Sequence, residues 1–527
     1  MNQKFYSILS LFFLTFPSLF ATENDTVGRT RQDILHGVLL DRAGYDMAGR
    51  MSWENPALLP WMLPQSRCNA VADYSSEKES QPLTGGKGEG SRNWEIGANA
   101  YILTPGGCVA GKAGYVNGTV LSPVWNESGE YDRIYPYLIA DSIGGNIHSE
   151  KYYFEGGYSH KGRNIAWGVE GGYTAILSYR NVDPRPRNVS GDLTVKGGFS
   201  YRVWNDYFAG LSLRYNRYRL STDVSFVNET GETKLFHLTG LGAHYSRFDG
   251  AGSSVFNDCH TGGFSLNLLP SEGKGVFLNA DFSLMGMRHV ISDLNRLPMA
   301  NLNDKGIRLQ AGYKSMTFSD GEDVSTGNTF RYGAWGEWEA SRRHGRENIF
   351  GDASSGSYPQ IGTLSLFADN SWKGAIAGYF GTGGRRMNLY ILPRAEWSHR
   401  RMVYVSPRRD RLDEHITLSA NFRMNFLIGH SSFAGVRCGL GGRIPTSSLL
   451  SLPAPGNDNA DKALYELTRR DFANATSKAF GLSLGGEWLR RFSGRLAAGI
   501  TADYSYSHVA SGISVNCFSI GLTAEFL

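Results

Sequence analysis

The sequence predicts an all-β fold: a transmembrane antiparallel β-barrel of roughly 14–18 strands, preceded by a short irregular N-terminal segment. Three observations carry that expectation. Runs of about ten residues alternate between apolar and polar side chains, the length a tilted strand needs to cross a bilayer. After the leader, no stretch reaches the ~18 consecutive apolar residues of a membrane helix. Aromatics reach 13% and glycine 65 of 527 residues, yet mean hydropathy is only −0.31, as expected when each strand divides its residues between two environments.

The leader gives the destination. Lys4 precedes an apolar run from Phe5 to Ala21, which reads as a secretory signal peptide over residues 1–21. Export of a chain without a membrane helix, rich in alternating strands, points to the bacterial outer membrane of a Gram-negative cell, with outer-membrane lipid as its surroundings.

Residues 22–90 do not alternate, and are read as a lead-in or plug-like segment ahead of a barrel over 91–527. Asn55-Pro56 is turn-prone, and Pro56, Pro60 and Pro64 oppose helix propagation. Two placements fit. In one, Trp53, Asn55, Pro56, Leu58, Leu59 and Trp61 form a plug or gate inside the bore; in the other, the segment packs beneath the barrel floor.

The alternation is clearest downstream. Ile416, Leu418, Ala420, Phe422, Met424 and Phe426 share one face, while Thr417, Ser419, Asn421, Arg423 and Asn425 share the other. Val276, Leu278, Ala280, Phe282 and Leu284 likewise oppose Asn279, Asp281 and Ser283. Extended to every run, the rule assigns Lys196, Arg202, Arg214, Asp281, Arg308, Lys314, Arg394, Glu396, Arg423, Glu487 and Asp503 to the lumen. Both signs are present, so these residues could line a pore or close it as salt-bridge ladders. Polar stretches at 216–233, 341–358, 406–415 and 444–478 read as outer loops, where a lipoprotein or polysaccharide partner could bind.

The chain ends on Phe518, Ile520, Leu522, Ala524 and Phe526 in alternation with small or polar residues. A half-apolar terminal strand left unpaired would invite aggregation, so it is expected to close the ring against the first strand. The segment Phe518–Leu527 resembles the C-terminal β-signal read by the bacterial outer-membrane assembly machinery. The Asn-Pro-Ala of residues 55–57 resembles the motif that follows the N-terminal segment in the long-chain fatty-acid channel family. With "DRAGYDMAGRMSWENPALLP" ahead of the first strand, the layout resembles outer-membrane β-barrel proteins of Bacteroidetes type. The Asn-Pro-Ala resemblance implies a transport function with hydrophobic cargo.

Other motifs point away from catalysis and cofactors. "GLSLG" around Ser483 matches a nucleophile elbow in letters, but it lies in an alternating strand with no helix to follow. "GGKGEG" at 85–90 lacks the Lys-Ser/Thr and helix of a phosphate loop. The five cysteines are scattered and form no C-x-x-C pair, the histidines are dispersed, and a net charge of +4 gives no basis for nucleic-acid binding. The expectation is a non-enzymatic channel or transporter for small solutes, hydrophobic ones among them, with a structural or partner-binding outer-membrane scaffold as the alternative.

Overall fold

The computed structural model describes residues 34–41, 48–63, 65–204, 207–228, 234–271, 274–315, 329–354, 357–383, 386–493 and 495–526. The expected signal peptide and Leu527 lie outside them. In chain order the strands are β1 (Arg67–Glu79), β2 (Gly90–Thr104), β3 (Gly107–Val120), β4 (Leu138–Ala140), β5 (Ile147–Lys161), β6 (Ile165–Tyr179), β7 (Arg185–Arg202), β8 (Tyr207–Ser225), β9 (Phe236–Gly240), β10 (Ala243–His244), β11 (Ser254–Pro270), β12 (Gly275–Ile291), β13 (Leu297–Lys314), β14 (Thr329–Phe350), β15 (Gln360–Gly383), β16 (Met387–Tyr404), β17 (Arg409–Ile428), β18 (Ser432–Ser451), β19 (Ala479–Ser493), β20 (Leu496–Val509) and β21 (Ile513–Phe526). The helices are α1 (Ile34–Asp41), α2 (Leu59–Met62), α3 (Tyr131–Ile134) and α4 (Asn459–Ala475).

Eighteen of the strands form one sheet in which every neighbouring pair is antiparallel, and β1 pairs with both β2 and β21. Ala70 lies opposite Ala524 and Tyr74 opposite Ile520 across the seam, so the ring is closed and leaves no lipid-facing edge. The outer wall carries the apolar set that alternation assigned to it. Trp94, Phe154, Val195, Leu213, Leu278, Leu309, Ile376, Leu418, Leu482 and Leu522 are all exposed. Apart from the connection between β13 and β14, short turns join strands at the end where β1 starts and β21 stops; the longest connections lie at the other end, which by the usual asymmetry of such barrels is the outer one.

Three expectations change. The barrel begins at Arg67, well inside the segment read as lead-in. Its first strand escapes pattern reading because its outward residues, Ala70, Ala72, Tyr74 and Ser76, are mostly small or polar. The expected loops at 341–358 and 406–415 are in large part the outer ends of β14 and β17, the segment 444–478 holds the end of β18 and helix α4, and residues 216–225 belong to β8. Those strands run past the bilayer, where polar side chains on the outer face meet water. Finally, α1 forms in the lead-in segment, where Ile34, Leu35, Val38 and Leu39 bury against Phe433, Leu489 and Ala497.

The outer end of the bore holds a core of its own. Residues 121–146 and 234–253 fold inward and pair as a three-stranded sheet, β10-β9-β4. Tyr137, Leu138, Ile139, Phe236 and Phe248 pack there against Tyr218, Val255, Met287, Met299 and Phe367 on the barrel's inner wall. Helix α4 closes over this cap through Leu464 and the partly buried Leu467. A buried ion pair, Arg180 Nη2 to Glu127 Oε2 at 2.7 Å, fastens its edge; the two side chains are 4% and 0% exposed.

Candidate functional site

At the N-terminal end, residues 48–63 enter the bore. A 3-10 turn over Arg50–Glu54 leads to Asn55, and α2 follows with Pro60 in its first turn, where a missing amide hydrogen costs nothing. Leu58 and Met62 pack on Phe208, Leu269, Phe277, Tyr379 and Tyr390 of the wall, with Trp53 and Trp61 at the margin. Trp61 stacks on Phe208 at 4.3 Å between centroids, and Lys161 Nζ sits 4.2 Å from the centre of the Trp61 ring. Leu59 is also buried.

Small residues on β6, β7 and β8 make room for this approach. A Cβ on Gly168 would stand 2.8 Å from the Pro56 carbonyl carbon, one on Gly198 3.0 Å from the Ala57 nitrogen, and one on Gly210 2.8 Å from Asn55 Nδ2. Serines on the same wall grip the backbone: Ser159 Oγ donates to Pro56 O at 2.6 Å, Ser200 Oγ to Ala57 O at 3.0 Å, and Trp61 Nε1 donates to Ser200 Oγ at 3.1 Å.

Asn55 is fully buried and completes a row of amides. Its Nδ2 donates to Asn267 Oδ1 at 3.0 Å, Asn267 Nδ2 to Asn279 Oδ1 at 2.8 Å, and Asn279 Nδ2 to Gln310 Oε1 at 3.2 Å. Gln310 Nε2 continues to Glu337 Oε1 at 3.1 Å, and Arg394 binds Glu337 at 2.7 Å and Glu396 at 2.9 Å. The wall residue opposite Asn267 on β8 is Gly210. Asn55 therefore occupies the place a β8 side chain would have taken.

A neutral charge cluster lies beside this row. Glu54 accepts from Arg214 at 3.1 Å and from Arg308 at 3.2 Å, and both guanidiniums also face Asp281, at 3.5 and 3.1 Å. Ser52 Oγ donates to Asn279 Oδ1 at 2.8 Å.

Between the plug and the wall of β16–β21, β1 and β2 is a cavity of about 660 Å³. Arg394, Arg423, Arg437 and Asp503 reach it, among hydroxyls and amides such as Ser75, Ser483, Ser519, Asn93 and Asn421, with Trp335 and Leu392 where it meets the plug. Arg437 is held by Asp503 at 2.9 Å and Glu487 at 3.6 Å.

The lumen residues named from alternation thus fall into separate groups. Arg214, Asp281 and Arg308 meet the plug; Arg394, Glu396, Arg423, Glu487 and Asp503 belong to the cavity side; Lys196 pairs with Glu170 at 2.6 Å. Arg202 lies 5.9 Å from the Phe208 ring, and Lys314 is buried. Sequence reasoning missed Glu54, Arg437 and the amides Asn267 and Gln310 as participants. Glu54 carried a usable signal, a charge set between two tryptophan-bearing turns. Ser483 faces the cavity opposite Ser505 and Gly439 in the sheet, without a histidine among its register partners.

A closed antiparallel ring with an apolar outer face and an N-terminal segment seated in its bore defines a transmembrane β-barrel of the outer-membrane type. Within that class, the chain belongs to the family of unknown function DUF6850, which matches residues 56–526. No curated protein matches it. Among solved structures, it is similar to a mutant ferric enterobactin receptor of Pseudomonas aeruginosa, at 10% identity over 88% of this chain and 80% of that one, with a TM-score of 0.36. It is also similar to the ferric-catecholate import receptor Fiu of E. coli, at 8% identity, 88% and 82% coverage and TM-score 0.36. A third, the CymD monoaromatic hydrocarbon channel, gives 10% identity, 92% and 94% coverage and TM-score 0.31. At that level of superposition the likeness is one of general architecture.

Proposed function

We propose that this barrel is a gated transporter for small polar solutes, with residues 48–63 as the gate and the adjoining cavity as part of the path. The observation that carries the reading is the seating of Asn55 and Glu54. The segment is held by exchangeable hydrogen bonds and by a cluster of two cations and two anions, all of which water can replace when it leaves. The cavity lining of hydroxyls, amides and paired charges favours polar cargo over the hydrophobic cargo that the Asn-Pro-Ala resemblance implies. The barrel is read as non-enzymatic.

Planar-bilayer recording of the refolded protein tests this. The full chain should be silent or nearly so, and deletion of residues 34–65, which leaves every barrel strand intact, should give stepwise openings. Glu54→Ala, which leaves Arg214 and Arg308 with Asp281 alone, should give brief ones. The densely packed cap favours the second reading, a partner-binding scaffold, and silence from both the full chain and the deletion would establish it over transport.

A further inference from the structure

On the outer wall, the apolar band ends in arginine and lysine along one arc of the barrel. Following each strand outward past its last exposed apolar residue, β8 goes from Tyr215 to Arg217 and Arg219, β12 from Leu284 to Arg288, and β14 from Trp338 to Arg342 and Arg346. Strand β13, running the opposite way, places Lys305 one outward position beyond Ile307. All six cations are exposed. Register joins them: Arg219 and Arg288 both lie opposite Asp258, and Lys305 lies opposite Arg342. At the outward positions of these strands and β11 between Arg217–Arg219, Asp258–His260, Gly286–Arg288, Asn301–Lys305 and Arg342–Arg346, the one carboxylate is Asp258. Arg217 and Arg288 already share it, at 3.9 and 3.0 Å. Six cations against one anion make a strongly positive strip that borders the hydrocarbon.

We infer that this strip binds the phosphate groups of anionic lipid in the outer leaflet. Position selects a lipid over a soluble anion: the cations stand where headgroups of lipids packed on Leu284 and Trp338 must lie. Chemistry selects phosphate, since a planar guanidinium offers paired N–H donors that match two phosphate oxygens. Juxtamembrane cations also gain from the negative potential of an anionic leaflet. The plug and the cavity play no part, so the inference stands apart from the transport reading.

The test uses the full refolded chain in neutral detergent, with native mass spectrometry of bound lipid A, a glucosamine lipid bearing phosphomonoesters, against phosphatidylcholine. The wild type should retain lipid A selectively. The combined variant Arg217→Gln, Arg288→Gln, Arg342→Gln and Arg346→Gln should lose at least about tenfold in retention, and the matching Lys set, which keeps the charge without the paired donors, should lose less than the Gln set. Retention in the wild type should also fall as salt is raised, a measurement that needs no variant to fold. Equal retention of the two lipids, unaltered binding by the Gln set, or displacement of lipid A by inorganic phosphate at comparable concentration would overturn the inference.

Discussion

Asn55 shows how much one side chain can carry. It donates to Asn267 and accepts from the Ala57 amide at 3.0 Å, and it does so fully buried. Truncation leaves both partners without it in a site closed to water, at a cost of about 1–3 kcal/mol. Asn55→Ala should therefore raise hydrogen exchange across residues 48–63 by about tenfold or more while leaving the barrel strands protected. Little of this was legible beforehand. Alternation placed Arg214, Asp281 and Arg308 on the inner face, because a period of two needs only the local chain. It could not place Glu54 among them, because that meeting joins residues far apart in sequence across a closed ring. Alternation also sets Gln310 on the inner face, but neither it nor Asn267 stands out as a site residue, because a neutral amide there carries no pattern of its own.

At the scale of elements, the cap and helix α4 hold the clearest predictions. Glu127 has its carboxyl pushed up to about 8, chiefly by burial, with Arg180 pulling the other way and Asp141 adding to the rise. Removing the cation raises that value further, so the carboxyl takes up a proton and stays buried without its partner. Arg180→Ala should destabilise the cap by about 1–3 kcal/mol, read as early loss of cap protection in a denaturant series.

His244 on β10 touches Asp249 and Asp461, each at 2.9 Å, and Asp461 lies in the first turn of α4. Burial pushes the ring's pKa down, but the two carboxylates outweigh it and hold the value above the ordinary range. A cation whose folded pKa is raised contributes in full below its unfolded value of about 6.5, and that contribution is lost as pH rises through the folded value. Asp471, raised to about 6 chiefly by burial, acts in the same direction, since the folded state takes up its proton first. Exchange at the start of α4 should thus accelerate between mildly acidic and alkaline pH beyond the intrinsic base dependence. His244→Gln should remove most of that excess. The helix itself had a readable signature, an Asp458 cap with Ala460, Leu464 and Leu467 in helical spacing, but the surrounding Gly, Pro and Asn masked it.

For the whole molecule, the ring was legible in outline and its filling was not. Hydrocarbon outside imposes alternation, and that rhythm is written in most of the strands of the ring, though faintly in the thinly apolar β1. The filled outer end leaves a subtler trace. Tyr218, Cys259, Met287 and Leu302 make the inner face apolar above the bilayer while Arg217, Arg219 and Arg288 lie outward, so the contrast of those strand ends is reversed and they read as loops. Because β1 starts at Arg67, a chain lacking residues 34–65 keeps its complete ladder. It should still migrate as a compact, heat-modifiable species in detergent gels, with a melting temperature close to that of the full chain.

The length of the wall has its own consequence. Strands β14 and β15 run for 22 and 24 residues, where a bilayer asks for about 9–11. At ~3.3 Å per residue and a tilt near 40°, the longer spans ~60 Å of height, about twice the thickness of the oily layer. The mouth is thus uneven: the β14–β15 side stands well above the oily layer, while β1–β3 and β19–β21, at 13–15 residues, end near it. A visitor docking on the raised side meets the wall clear of the surface, and a bulky one need not part short surface glycans to arrive there.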